Sequence, residues 1–222
     1  MGKLIVLEGT DGSGKSTQME LLATRMEQEG LSFRRLRFPR YEKESSALIR
    51  MYLGGEFGSK PTDVGAYAAS TFYAVDRFAS YAEDWKDFYE QGGVLISDRY
   101  TTSNAVHQGS KMPPAEREDF FRWLYDLEFT KMQLPCPDLV LRLDMPIELS
   151  QTLMRGREAE TNTTADIHEK DKAYLLSCRE AGAHAAEFYG WQNISCAKDG
   201  AVRSREDIHE EIFSYVKRCL ED

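Results

Sequence analysis

A three-layer α/β fold, with a five-stranded parallel sheet flanked by helices, is predicted for this 222-residue chain from three observations. Short apolar runs of strand length alternate with segments of helical period. The alternation continues along the chain without an internal repeat, a low-complexity tract or a linker. A glycine-rich loop joins the first strand to the first helix. Strands separated by helices pair in parallel, because a parallel pair needs a long crossover and a helix supplies it. Ligands of such sheets are met beyond the carboxyl ends of the strands. With no linker, a single domain is expected over residues 1–222.

Leu4–Glu8 reads as the first buried strand, and Met19, Leu22, Ala23 and Met26 then keep the i, i+3, i+4, i+7 rhythm of a helix. Gly30 closes that helix, as glycine commonly does just past a C-cap. Phe33–Phe38 is the second strand, ending at Pro39. From Gly65 to about Glu90 the chain is alanine- and aromatic-rich and free of proline, a long helical stretch. Gly92-Gly93 introduces the third strand, Val94–Asp98. Pro113-Pro114 opens a helix whose apolar stripe is Phe120, Trp123, Leu124 and Leu127. Asp138–Asp144 is the fourth strand, with Pro146 suited to the first turn of the helix after it. Asn193–Cys196 is the fifth. Ser204, with Asp207 three residues on, starts a last helix that turns Ile208, Ile212, Tyr215 and Cys219 inward.

With 41% hydrophobic and 29% charged residues a packed core is expected and disorder is not. The 28 basic and 37 acidic side chains leave a net charge of −9. That excludes the long-range positive field on which a nucleic-acid polymer or an anionic membrane surface depends. It does not exclude a small anion, which responds to local donors. No apolar run approaches the roughly 18–20 residues that span a bilayer. Leu4-Ile5-Val6-Leu7 is too short for a signal peptide, so a cytoplasmic protein is expected. Cys136, Cys178, Cys196 and Cys219 are widely spaced, with no Cys-x-x-Cys pair, which points to reduced thiols rather than zinc or disulfides.

The chemistry begins at Gly9-Thr10-Asp11-Gly12-Ser13-Gly14-Lys15-Ser16, followed by Thr17, which matches G-x-x-x-x-G-K-[ST] between a buried strand and a periodic helix. Glycines let backbone N–H groups converge on phosphate oxygens, and the helix N-terminus adds partial positive charge. Lys15 reaches the β- and γ-phosphates and the Ser16 hydroxyl suits Mg²⁺, so ATP with Mg²⁺ is the expected ligand and the fold is of the P-loop NTPase kind. Asp98, at the tip of a short apolar strand, stands where a Walker-B carboxylate supports the metal, and Arg99 beside it can hold a phosphate. Gly54-Gly55 and Gly92-Gly93 lack the lysine and read as turns. No Asn-Lys-x-Asp motif is present to read guanine.

These residues resemble thymidylate kinases, the P-loop kinases that phosphorylate dTMP with ATP. The resemblance runs nearly end to end, from Leu4–Gly12 to Ser204–His209. It is carried by Asp11-Gly12 in the phosphate loop, by Phe38-Pro39-Arg40, and by Asp98-Arg99-Tyr100 continuing through Ser103 and Asn104 to Gln108-Gly109. It implies that Asp11 lies near the sugar 3′-hydroxyl, that Pro39 borders the base, and that Arg50 and Arg99 face the acceptor phosphate. Arg77 would contact thymine, and Ser103 and Gln108 would line the base. The family's stacking phenylalanine falls on Tyr73, with Phe72 beside it. Tyr73, at i, i+4, shares a helical face with Arg77, whereas Phe72 is rotated away.

Gly12 places the chain with the branch whose catalytic arginines lie in a lid, expected at about 154–166 with Arg155 and Arg157 as the cations. The stretch Glu158–Thr164 after them is acidic and polar, unlike a basic lid, and Asp166–Glu169 resembles the acidic segment that follows it. The resemblance also implies that Cys196–Asp199 borders the adenine and that the protein is a homodimer. Two alternatives stand beside this reading: a P-loop kinase for another nucleotide or nucleoside acceptor, and a non-kinase ATP-binding switch. The acceptor-side residues Arg77, Arg99 and Gln108 argue against the switch. Arg34, Arg35, Arg37 and Arg40 crowd into seven residues leading to the expected acceptor pocket, so positive charge is expected to gather at one cleft despite the net −9.

Overall fold

The structure, a computed structural model, describes residues 1–153 and 172–221. The expected lid at 154–166, with Arg155, Arg157 and Glu158–Thr164, lies outside the described residues, as does Asp166–Glu169.

Five parallel strands form one sheet in the order β2-β3-β1-β4-β5. They are β1 (Lys3–Glu8), β2 (Phe33–Arg37), β3 (Val94–Asp98), β4 (Leu139–Asp144) and β5 (Gln192–Ser195). The three inner strands, β3, β1 and β4, owe their place to composition. Ile5 and Leu7 of β1 join Ile96, Leu141 and Leu143 in a core under one helical layer. Leu4 and Val6, on the opposite face, join Leu95, Val140, Phe38, Trp85 and Tyr100 under the other. Successive strand residues point to opposite faces, so a strand covered on both sides reads as an unbroken apolar run. Leu7 pairs with Asp98, and Glu8 with Arg142, which brings the polar strand ends to one carboxyl edge.

Helix α1 (Lys15–Gln28) packs Met19, Leu22, Ala23 and Met26 into the first core, beside α9 (Arg205–Glu221), which buries Ile208, Ile212, Phe213 and Val216. The Ser204 hydroxyl accepts the Asp207 N–H at 3.0 Å, the cap read from the sequence. Between β2 and β3 lie α2 (Ala47–Leu53), α3 (Ala66–Ser80) and α4 (Lys86–Glu90). The long helix expected from Gly65 to Glu90 is interrupted by a π-helical turn at Tyr81–Trp85. The wider turn delivers Trp85 into the core, where its indole N–H donates to Ser80 Oγ at 3.1 Å. Then come α5 (Thr101–His107), α6 (Arg117–Tyr125) with a π-helical extension at Asp126–Lys131, and helical residues 147–153 as α7.

Helices α2, α5 and α8 and a short hairpin have no counterpart among the elements expected from the sequence. Helix α8 (Lys172–Tyr189) lays Ala185 against Ala105 of α5 and Phe120 and Phe121 of α6. A two-stranded antiparallel hairpin, β6 (Ala197–Lys198) and β7 (Ala201–Val202), turns at Asp199-Gly200, where both residues have positive φ, as a two-residue hairpin turn of this hand requires.

Candidate active site

The phosphate loop fills the gap between β1 and α1. Gly9 has to be glycine, because a Cβ there would lie 2.6 Å from Ser13 Oγ and 3.1 Å from the Leu143 carbonyl. Gly14, at φ +90°, makes the left-handed turn into α1. Lys15 is buried and its Nζ donates to the carbonyls of Gly9 at 2.6 Å and Thr10 at 3.3 Å. Burial pulls its pKa down and the neighbouring Arg99 adds to this, against the opposing pull of Asp11, Glu8 and Asp98. Gly12, Ser13, Ser16 and Thr17 line a cavity of about 500 Å³, together with Thr152 and Leu153 of α7 and Val202, Arg203 and Arg205 around the hairpin and the start of α9. Cys196–Asp199, expected beside the adenine, is not among the lining residues. The hairpin carries its second strand to the wall instead, and Cys196 is fully buried beneath it.

A second cavity, of about 140 Å³, opens on the other side of the loop. The sequence-predicted residues Asp11, Pro39, Tyr73, Arg77, Arg99, Ser103 and Gln108 all line it. Asp11 lines both cavities. Phe72 does not reach this cavity; its ring packs against Phe57 at 5.8 Å and Tyr52 at 6.4 Å between centroids. Between the two rings left open by the sequence, Tyr73 is the one on the cavity wall. Arg50 is not a lining residue either. Its Nη1 donates to the carbonyls of Tyr41 and Lys43 at 2.8 and 2.7 Å and to Ser46 Oγ at 2.8 Å, tying α2 to the loop before it.

Arg99 is placed by an uncommon backbone. It adopts φ +67°, a left-handed conformation costly for a non-glycine residue. The turn is held by Arg99 N–H donating to the Leu7 carbonyl at 3.2 Å and by Ser97 Oγ donating to the Arg99 carbonyl at 2.6 Å. The side chain then crosses to the phosphate loop, where Nη2 pairs with Asp11 Oδ1 at 2.5 Å. Nη1 reaches Ser103 Oγ at 3.3 Å and His107 Nε2 at 3.0 Å. A guanidinium only donates, so Nε2 of His107 accepts. Burial alone would lower the Arg99 pKa, but the carboxylates of Asp11, Glu8 and Asp98 outweigh it and hold the group above its ordinary value.

Arg77 is anchored just as firmly. Its Nε and Nη2 form a bidentate pair with Glu128 at 2.6 and 2.5 Å, with both side chains buried. Glu128 also accepts from Thr101 Oγ1 at 2.8 Å and Asn104 Nδ2 at 3.3 Å. Glu128, Glu8 and His107 were not expected at the site from the sequence, and Asn104 was named there only within the run that carries the resemblance. Glu8 had a visible signal, a charged residue closing an apolar strand. Glu128 had none, since it meets Arg77 only through the fold. The four arginines at 34, 35, 37 and 40 line neither cavity: Arg34 lies over the Phe88 ring at 4.3 Å, Arg35 pairs with Glu20, Arg37 is exposed, and Arg40 is buried on Asp76 and Asp84.

The donor set for a divalent metal is oxygen-only. Asp98 Oδ1 is buried with no hydrogen-bond partner at the β3 tip beside Leu7, and Ser16 lies in the adjoining cavity. An unsatisfied buried carboxylate oxygen near a phosphate cradle fits Mg²⁺, which takes one or two carboxylates and completes its shell with phosphates and water. Among the described residues no group of three or more His, Cys, Asp or Glu side chains gathers to bind a metal by itself.

The sequence profile of the family described as "Thymidylate kinase" matches residues 7–212 of the chain. The chain is 33% identical over 170 residues to a thymidylate kinase of Mycobacterium tuberculosis, covering 76% of this chain and 78% of that one. It is 32% identical over 222 residues to a probable thymidylate kinase of Thermococcus gammatolerans, covering 98% and 97%. A solved thymidylate kinase of Candida albicans shares the fold, with a TM-score of 0.72 at 18% identity over 98% of this chain and 92% of that one.

Proposed function

The chain belongs to the thymidylate kinase family and transfers a phosphoryl group to dTMP; from that premise we propose how its residues share the work, with the ATP γ-phosphate as the group transferred and dTDP and ADP as products. The observation that carries the assignment is that two cavities, one walled by the phosphate loop and one by Tyr73, Arg77 and Arg99, meet at Asp11. Transfer between two nucleotides is mostly positioning and charge neutralisation, and a donor site and an acceptor site back to back meet that need.

On the donor side, the loop from Gly9 to Thr17 cradles the ATP phosphates and Lys15 neutralises charge developing on the transferred group. Ser16 and Asp98 would hold Mg²⁺, which when bound screens the phosphate oxygens. On the acceptor side, Arg99 faces the dTMP phosphate while Asp11 both orients Arg99 and lies near the sugar 3′-hydroxyl. Tyr73 stacks on the base, Pro39 borders it, and Arg77, Ser103 and Gln108 supply polar contacts. Arg155 and Arg157 serve as the lid cations; Arg155→Ala and Arg157→Ala are expected to lower kcat more than they raise KM, a split that steady-state kinetics reads.

We read residues 1–222 as one domain acting as a cytoplasmic homodimer. Charged nucleotides do not partition into membranes, and among the described residues no helix is long and apolar enough to cross one. The outward face of α3 exposes Tyr67, Val75 and Phe78 to between 43% and 48%, an apolar stripe that suits a second copy of the chain.

A panel of nucleoside monophosphates and nucleosides at fixed ATP and Mg²⁺ tests the reading. The highest kcat/KM is expected with dTMP. A different preferred acceptor would reassign the pocket, and ATP consumption independent of any acceptor would make the protein a switch.

A further inference from the structure

One side chain ties the phosphate loop to the acceptor arginine, and it belongs neither to the loop motif nor to the lining of either cavity. Glu8 ends β1 and is completely buried. Its Oε1 accepts the Gly9 N–H at 2.8 Å and lies 3.7 Å from Arg99 Nη1. Its Oε2 accepts the hydroxyls of Thr102 at 2.6 Å and Ser103 at 2.7 Å, in the first turn of α5. Ser103 Oγ in turn accepts from the same Arg99 nitrogen. A strand end built only for packing would carry an apolar residue, as Leu4–Leu7 do. A buried carboxylate is tolerated where donors and an opposite charge surround it, and here those donors come from both sides of the reaction.

We propose that Glu8 is a positioning residue for the phosphoryl transfer: holding Gly9 through one oxygen and Thr102 and Ser103 through the other, it sets the distance and orientation between the donor loop and Arg99. The inference rests on the assignment of Arg99 and Ser103 to the acceptor side. Glu8 touches neither nucleotide, so it acts through Arg99. In Glu8→Gln an amide nitrogen, a donor, replaces one acceptor oxygen and the charge facing Arg99 is gone. The carbon frame is unchanged.

The test is steady-state kinetics with dTMP and ATP varied separately, alongside thermal melts, for the wild type, Glu8→Gln, Arg99→Ala and the double variant. Glu8→Gln is expected to lower kcat/KM for dTMP roughly 10- to 100-fold while leaving KM for ATP within about twofold, because a displaced acceptor group costs rate without loosening the donor. The double variant is expected to match Arg99→Ala within about twofold, since two residues acting as one unit are not additive. A folded Glu8→Gln protein with wild-type dTMP kinetics, beside an impaired Arg99→Ala, overturns the role of Glu8 alone. So does a loss shared equally by dTMP and ATP that tracks a lowered melting temperature. Wild-type dTMP kinetics in Arg99→Ala would overturn the acceptor-side assignment and the proposal with it. If Glu8→Gln does not fold, Thr102→Val removes a single donor to the same oxygen; a dTMP-specific loss of several-fold is then expected, and no change overturns the proposal.

Discussion

Arg77 and Glu128 show how this site fixes a side chain. The pair is bidentate, out of water, and braced by Thr101 and Asn104, and Nη1 donates to the Tyr100 carbonyl at 3.4 Å, so the guanidinium is held in place on the cavity wall. Removing one charge from such a pair leaves the other buried and uncompensated. Glu128→Gln should therefore destabilise the protein by about 3–5 kcal/mol in urea unfolding and raise KM for dTMP as Arg77 loses its orientation. Lys15 differs, since its Nζ donates to two loop carbonyls: Lys15→Ala should abolish turnover in an ADP-release assay while circular dichroism stays native. Lys111 provides a pH test. Its Nζ donates to Tyr52 OH and the Val64 carbonyl, both at 2.9 Å, and burial lowers its pKa to about 8. Between that value and the ordinary lysine range the unfolded chain binds the extra proton, so stability from this group rises with pH through that window. The melting temperature of the wild type relative to Lys111→Met should climb from about pH 8 to pH 10, and a flat difference would show that the lysine carries no burial penalty.

Among the elements, the ones that declared themselves did so by pattern. β1, β3 and β4 are apolar runs, and α9 has both a cap and a stripe. α8 buries Tyr174, Leu175 and Cys178 in its first half, but the middle of its contact face is Ala181, Ala185 and Ala186, and alanine carries little periodic signal. That smallness is the structural requirement, since Ala185 sits in one cluster with Ala105, Phe120 and Phe121, and a Cβ on Gly182 would meet Arg142 Nε at 3.0 Å. Ala185→Leu should overpack this contact and cost about 1–3 kcal/mol by chemical denaturation, with the secondary structure unchanged. The β6–β7 hairpin escaped for a different reason. Strands of two residues are too short to show a period, and only the Asp199-Gly200 turn marks them.

For the whole molecule, the net charge of −9 does not exclude a nucleotide site, because the arginines lining the smaller cavity are each held by a specific acid, Arg77 by the buried Glu128 and Arg99 by the partly exposed Asp11. Specific geometry rather than a general positive field marks the two cavities, since Arg34 and Arg35 are spent at the surface and Arg40 on Asp76 and Asp84. A dimer through α3 predicts that Phe78→Glu yields a monomer in analytical ultracentrifugation, because a charge at the centre of an apolar contact is not compensated. The fold class, the phosphate loop and Asp98 were legible in the residues alone, because each depends on neighbours in sequence: a period, a turn that only glycine makes, a strand tip; the run from Arg99 to Gln108 was legible only through the family resemblance. Which aromatic of Phe72 and Tyr73 meets the cavity, where Arg50 points, and that Glu8 and Glu128 stand behind the two site arginines were settled only by folding. Glu128 lies 51 residues from Arg77 and Thr102 lies 94 from Glu8. Contacts over such separations leave no local trace, since they are created by sheet order and helix docking rather than by any residue's own preference.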